Sequence, residues 1–404
     1  MWHLSRAALA ATLVFQLRPA LAGTVTIDLP AAIDRAHHVS PIAAQARGQI
    51  GEAEGVVVGA DMLFTTNPEI EAGAGPRFVT PRLYDIDARI AQDLEPGRRG
   101  PRRALARAEL LHAGATADTS FRELDLEVAF AFYETIHADR ILDLDRGAED
   151  LAQRAADFAD RRRKAGDATD LEANLARAAL GRARSATQAA TSERAAAVAR
   201  LAAVIGADPS DTLIVKGDLR VAVTDLQALR NAIVKRADVR ALDAERSVAA
   251  AEHDVATANA RPDLGLWLGY RREGGDDIVL GGIRATLPTW NRAQGDKAIA
   301  SARARRATEM RTATLLAATR ELGDALEAYT HANDAVAVYE HDVLPALDDS
   351  EKLLSKSVDA GQLAVNEYLV ARQEVLSGRR EYLDRLLGLA KAAATVRYIA
   401  GVSQ

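Results

Sequence analysis

The residues best suited to chemistry are spaced in ways that lead away from catalysis. Eight histidines are scattered along the chain and only His37 and His38 are adjacent. Neighbours on a helix point about 100° apart, so this pair is better suited to a surface or a contact between copies than to chelation; no histidine pair has the i,i+4 spacing of a helical zinc site. Gly295-Asp296-Lys297 lacks both the upstream glycine and the following Ser or Thr of a phosphate-binding loop. The chain has no cysteine, which removes disulfides, thiolate metal ligands, a thiol nucleophile and a lipid-modified N-terminal cysteine. No nucleophile triad is suggested. The expectation is a protein that is not an enzyme and has no cofactor and no metal centre.

Charge is patterned elsewhere. From Glu69 the period becomes two: Ile70, Ala72 and Ala74 alternate with Glu69 and Glu71, and Tyr84, Ile86, Ala88 and Ile90 alternate with Asp85, Asp87 and Arg89. This predicts a two-stranded hairpin whose polar face carries Glu69, Glu71, Asp85, Asp87 and Arg89, facing either solvent or a water-filled lumen. A second hairpin is predicted where Leu264, Leu266, Leu268 and Tyr270 alternate with Gly265, Trp267 and Gly269, turn at Glu273-Gly274-Gly275-Asp276, and return from Val279 to Leu287. Arg98, Arg99, Arg102 and Arg103 cluster where strand yields to helix; anionic headgroups, carboxylates of another copy, or plain solvent are their alternative neighbours.

Helices must position these strands. Aromatic content is only 4% and many apolar positions are alanine, which favours long, thin helical packing over a thick globular core. One helix is predicted from Asp28 to about Gly59. A much longer one starts at Pro101, with irregularities at Gly114 and Gly147, and runs to Lys164, a length on the order of 90 Å. Leu124, Val128, Ala131, Thr135, Ala138 and Leu142 give it the alternating four and three spacing of a coiled-coil seam. Ala165-Gly166-Asp167 reverses the chain, and Asp170 to about Ile205 returns. A helix from Asp225 to Ala260, a long one from about Asn291 to Lys356 interrupted near Pro345, a reversal at Ala360-Gly361-Gln362 and a return to about Ile399 repeat the plan. Glycine at each reversal suits a positive φ.

Landmarks such as Asn67-Pro68 and Arg261-Pro262, or Ala165-Gly166 and Ala360-Gly361, recur at an offset of about 195 residues, the mark of a duplicated unit. The expected organisation is a signal peptide over 1–22, a first repeat over 23–206, a connecting segment over 207–224 and a second repeat over 225–404. The leader is read from Arg6, the apolar run Ala7 to Leu17, and Ala20-Leu21-Ala22. No other segment approaches the ~18 apolar residues of a membrane-spanning helix, so passage through a membrane would have to use strands. Four strands cannot close a membrane barrel, because unpaired edges in lipid cost several kcal/mol per exposed polar group, so copies would have to pool them. A formal net charge of −6, with no basic aromatic-studded segment, gives no case for nucleic acid.

Leu29-Pro30-Ala31-Ala32-Ile33, Asn67-Pro68, the run Ala91-Gln92-Asp93-Leu94-Glu95-Pro96-Gly97-Arg98-Arg99, Arg261-Pro262-Asp263-Leu264 and Leu287-Pro288-Thr289-Trp290-Asn291-Arg292-Ala293-Gln294-Gly295 stand in the order of the TolC-like outer-membrane efflux family, which the chain resembles over nearly its whole length after the leader. The Gln92 to Arg99 and Leu287 to Gly295 runs look most like the branch serving cation-exporting resistance-nodulation-division pumps for cobalt, zinc, cadmium or copper. The resemblance implies a mainly helical chain whose long antiparallel hairpins build a periplasmic α-barrel. It also implies four strands per chain, contributed to a twelve-stranded outer-membrane β-barrel in a homotrimer. Drugs or a secreted polypeptide are the alternative cargo, and a periplasmic coiled-coil adaptor or scaffold is the alternative class. The implied partners are outer-membrane lipid, an inner-membrane pump, and a periplasmic adaptor meeting the tips Ala165, Gly166, Asp167, Ala360, Gly361 and Gln362. The resemblance also places an acidic ring six residues after the tip glycine. Glu367 occupies that position and Glu172 its counterpart in the first repeat, whereas the next acidic position of the pattern is Val370.

Overall fold

The computed structural model describes residues 24–78, 83–208, 212–359 and 365–403; the expected leader over 1–22 and the reversal Ala360-Gly361-Gln362 lie outside them. Strand β1 (Thr24–Ile27) leads into helices α1 (Leu29–Val39) and α2 (Pro41–Asp61), the strands β2 (Glu69–Arg77) and β3 (Leu83–Leu94), and the helices α3 (Arg99–Ala165) and α4 (Asp170–Val204). Strand β4 (Thr212–Val215) opens a second succession: α5 (Leu226–Ala232), α6 (Ala237–Asn259), β5 (Asp263–Glu273), β6 (Asp276–Thr286), α7 (Gln294–Val338), α8 (Leu344–Asp359) and α9 (Val365–Ala400). Long helices and four longer strands are thus the observed fold class.

Three of the predicted helices are interrupted. The helix expected from Asp28 to Gly59 is two, because Pro41 has no N–H to donate and drives Ser40 to an extended ψ of 141°. Ser40 serves both helices: its N–H donates to the Ala36 carbonyl at 2.9 Å, and its hydroxyl accepts from the Ile42 N–H at 3.3 Å. The helix expected from Asp225 to Ala260 is also divided, by a 3₁₀ turn over Ile233–Lys235 and by Arg236 at ψ 148°. Between α7 and α8 a π-helical turn over Tyr339–Val343 stands directly before Pro345, where the α-helical ladder loses a donor. The π turn is clamped to α9 by a reciprocal exchange. Tyr339 donates to Glu381 at 2.6 Å and Tyr382 to Glu340 at 3.2 Å. By contrast α3 runs unbroken through Gly114 and Gly147 for 67 residues.

Helix α3 is the spine, packing against α2 and α6 in one part of its length and against α4 and α9 in another. All six seam residues from Leu124 to Leu142 are buried. Even Thr135 suits this seam, since its hydroxyl donates to the Ala131 carbonyl at 2.8 Å and leaves no unsatisfied group in the core. Around the same stretch Phe132, Leu201, Ile205, Leu213 and Leu389 form the main apolar cluster. There β1 and β4 pair in parallel, from Thr24 with Thr212 to Ile27 with Val215. β1 was not anticipated. A second apolar cluster gathers Leu229, Ile233, Leu322 and Val396, and ion pairs join the helices: Arg380 grips Asp145 at 2.6 and 2.7 Å, Lys391 meets Glu134 at 2.6 Å, and Arg240 meets Asp118 at 2.9 Å.

Among the described residues Phe132 is the largest fully buried side chain. Phe132→Ala is expected to cost about 3–5 kcal/mol through lost burial and a residual cavity. Chemical unfolding followed by helical circular dichroism measures it, and an unchanged midpoint would mean that this cluster does not hold the helices together.

Candidate functional site

The four longer strands form one antiparallel sheet in the order β2-β3-β5-β6, with β2 and β6 each paired on one side only among the described residues. Residues directly opposite in such a sheet share a face. Glu69 pairs with Ala91, Glu71 with Arg89, Asp87 with both Gly73 and Arg271, and Asp85 with Gly75. Glu69, Glu71, Asp85, Asp87 and Arg89 therefore lie on one face, with Arg271, Glu273 and Arg284. Arg77 bridges Asp85 at 3.0 Å and Glu273 at 2.6 Å across this face, and Arg284 pairs with Asp93. The Arg89 guanidinium lies 4.7 Å from the Trp267 ring centroid. The indole occupies the place of a missing side chain: a Cβ on Gly282 would fall 2.8 Å from its ring.

The opposite face is the apolar one, and it is exposed. Ile70, Ile90 and Leu268 follow one another across three strands, then Ala88, Tyr270 and Val279. Ile70 is 76% accessible and Ile283 73%. A half-buried sheet in water covers its apolar face; here the aliphatic face is bare, while on the other face Arg77 and Arg284 bridge carboxylates and Glu69, Glu71 and Asp87 stand exposed.

At the helix end of the sheet the arginine cluster is engaged within the chain itself. Arg99 donates to the Asp61 carbonyl at 2.8 Å and Arg102 to those of Met62 at 2.8 Å and Ala60 at 3.3 Å, satisfying carbonyls at the negative end of α2. Arg103 pairs with Asp61, Arg98 with Asp263, and Arg102 with Glu95, whose carboxylate also accepts from Thr65. The cluster is an intramolecular knot. Its signal was the residue run itself, but the α2 carbonyls it serves were hidden by sequence distance.

The first hairpin tip bears out the backbone expected of glycine: Gly166 has φ 83°, its N–H donates to Arg163 at 3.1 Å, and the Asp167 N–H donates to Arg162 at 2.9 Å. Ala165, Gly166 and Asp167 are exposed. Behind them Asp160 takes Lys164 at 2.8 Å and Arg163 at 3.2 Å, and these hydrogen bonds hold its carboxyl down at about 2. Glu172 closes a capping box with Thr169: its carboxylate accepts from the Thr169 N–H at 3.1 Å while Thr169 accepts from the Glu172 N–H at 3.2 Å. Glu367 is exposed in the first turn of α9, and Val370 is exposed one turn further on. A groove of about 550 Å³ separates α3 and α4 from α9 near this end, lined by Arg182, Tyr368, Arg372, Gln373 and Arg380. At the paired histidines, His37 bonds Asp125 at 2.6 Å, joining α1 to α3, and His38 meets Asp34 within α1 at 3.7 Å.

Burial opposes the charge on Glu95, but hydrogen bonds from Thr65 and Arg102 outweigh it and lower its pKa below the usual 4.5. A depressed folded pKa stabilises the knot above the unfolded value, and that contribution disappears as pH falls below about 4.5 through the folded pKa. Thermal melting at pH 6 and pH 3 should therefore show a smaller acid-induced loss in Glu95→Gln than in the wild type. Equal losses would place the acid sensitivity elsewhere.

No family model matches the chain. Over 204 residues it is 30% identical to Protein CyaE of Bordetella pertussis, a match that covers 49% of this chain and spans only 41% of that relative. Over 361 residues it is 24% identical to the cobalt-zinc-cadmium resistance protein CzcC of Cupriavidus metallidurans, covering 87% of this chain and 85% of that one. Among solved structures, CusC, described in terms of folding and transmembrane channel formation, superposes with a TM-score of 0.71 at 18% identity, covering 97% of this chain and 96% of its own. The open state of the Neisseria gonorrhoeae MtrE outer-membrane channel gives 0.74 at 17% identity, covering 93% and 89%. The Vibrio cholerae outer-membrane protein VceC gives 0.70 at 19%, covering 93% and 96%. With nearly the whole chain superposed on each of them, its fold is that of the TolC-like outer-membrane channels.

Proposed function

We propose that this protein is the outer-membrane channel of a tripartite efflux system, a passive conduit running from the periplasm to the exterior. The observation that carries the reading is the bare aliphatic face of the sheet. An exposed aliphatic face backed by a charged face suits hydrocarbon outside and water within. Two free edges, on β2 and β6, cannot remain unpaired in lipid. Three copies supplying four strands each would close a twelve-stranded barrel with Glu69, Glu71, Asp85, Asp87 and Arg89 toward the lumen, and the long helices would continue it into the periplasm. The pump supplies the energy and this chain the path. An adaptor would meet Ala165, Gly166 and Asp167 together with the second reversal at Gly361. The likeness to CzcC over most of both chains favours metal cations as cargo.

Expressed in a Gram-negative host, the protein is expected to fractionate with outer membranes and to run as a trimer in mild detergent. A monodisperse monomer recovered without detergent would overturn the reading.

Glu367 is the better pore candidate of the two acidic residues, because Glu172 is already engaged in its helix cap. Three Glu367 carboxylates around an axis would concentrate cations and hold back anions, with a field that weakens as salt rises. Glu367→Ala should lower cation selectivity and divalent-cation block in planar bilayers at low salt. An unchanged current would return Glu367 to an ordinary solvated helix position.

A further inference from the structure

The most exposed large side chain at the helix end of the sheet is Trp290, 91% accessible, one of three tryptophans in the chain. Its loop is built to hold it there. The Ala293 N–H donates to the Asn291 side chain at 3.1 Å, the Arg292 N–H to the Gln294 side chain at 2.7 Å, and the Gln294 amide to the Trp290 carbonyl at 3.2 Å. Ala293 pays for this turn with φ 56°, a strained value for a residue bearing a Cβ. A turn fixed by three hydrogen bonds and backbone strain presents the indole to a particular surface.

The complementary surface lies beyond the opposite edge of the same sheet. Met62, Leu63 and Phe64, just before β2, are exposed in succession. This segment is also held in place: Arg102 donates to the Met62 carbonyl at 2.8 Å, Gln92 donates to the Thr66 carbonyl at 3.0 Å, and Thr65 donates to Glu95. Trp290 follows the end of β6, and Met62 to Phe64 precede the start of β2. Both patches thus sit at the helix end, one beyond each free edge. β6 runs toward the helices and β2 away from them, so pairing β6 of one copy with β2 of the next continues the antiparallel order.

We propose that Trp290 of one copy seats on the Met62-Leu63-Phe64 segment of the next, an apolar latch at the base of each joint between copies. The inference rests on the oligomeric barrel reading and adds the contact that aligns one copy with its neighbour. A tryptophan buries on the order of 150–250 Å² and provides a ring face for a methionine or phenylalanine. The competing site for such an indole is the lipid headgroup layer. The latch is favoured because each copy carries both halves, prepositioned, at opposite edges.

The absence of cysteine makes the test direct. A Phe64→Cys/Trp290→Cys double variant, purified in mild detergent and treated with a short bis-maleimide, should give covalent dimers and trimers on denaturing gels, while each single variant remains monomeric. In a Trp2→Phe/Trp267→Phe background, the Trp290 fluorescence of the reconstituted protein should be largely unaffected by brominated lipids. A trimeric double variant that yields no cross-link, or strong quenching by brominated lipid, overturns the latch and leaves the barrel reading standing. Absence of any trimer in the wild-type protein overturns both.

Discussion

Everything in this chain hangs on the burial of α3 along both of its flanks. A helix of 67 residues cannot be stabilised by propensity alone over such a length against bending and solvation, and its neighbours change along its course. Small side chains make this feasible. Ala106, Ala117, Ala129 and Ala159 are fully or almost fully buried, so backbones approach closely on either side without bulky residues to interleave. Dispersion spread over many such contacts replaces the thick core of a globular domain. Around Phe132 the packing becomes conventionally dense, and it is there that α1, β1, β4 and α9 converge.

The sheet is positioned from this scaffold by electrostatics at the backbone level rather than by a core of its own. The arginines at the start of α3 hold the final carbonyls of α2, so the helix that precedes the strands and the helix that follows them are fixed to each other beneath the hairpin. At the centre of this cluster Arg102 bonds the Ala60 and Met62 carbonyls and Glu95 at once, which a lysine could not match. The strands beyond are then free to expose aliphatic surface that a soluble fold could not tolerate.

Much of this was legible from residue order. The period-two alternation gave the strands and their faces, and the four and three spacing from Leu124 to Leu142 gave the buried seam of α3. The break at Ser40-Pro41 was also written in the chain, but the apolar spacing across it continues and conceals it. The break at Arg236 carries no proline. It goes with one tertiary contact, Arg236 donating to the Ile399 carbonyl at 2.7 Å, and one local bond to Asp238 at 2.8 Å. The arginine knot and the Tyr339, Glu381, Glu340 and Tyr382 exchange join positions far apart in sequence, and no local pattern marks such pairs. At the tips, the αL glycine was foreseeable from its reversal, whereas Glu172 proved to be occupied by a capping box whose Thr169 and Glu172 signature stood in plain order.

The pairing of β1 with β4 also sets an order on folding. Thr24 finds its partner at Thr212, so a parallel pair of four residues closes a loop of roughly 190 residues that contains the first hairpin strands and both long helices after them. Loop-closure entropy makes such a pair a late event, profitable only after α3 and α4 have already folded back and brought its ends together. The β1 strand therefore acts as a clasp that closes on a finished half. A chain delivered from its N-terminus must keep that segment unpaired, and protected from wrong edges, until the second half begins to arrive.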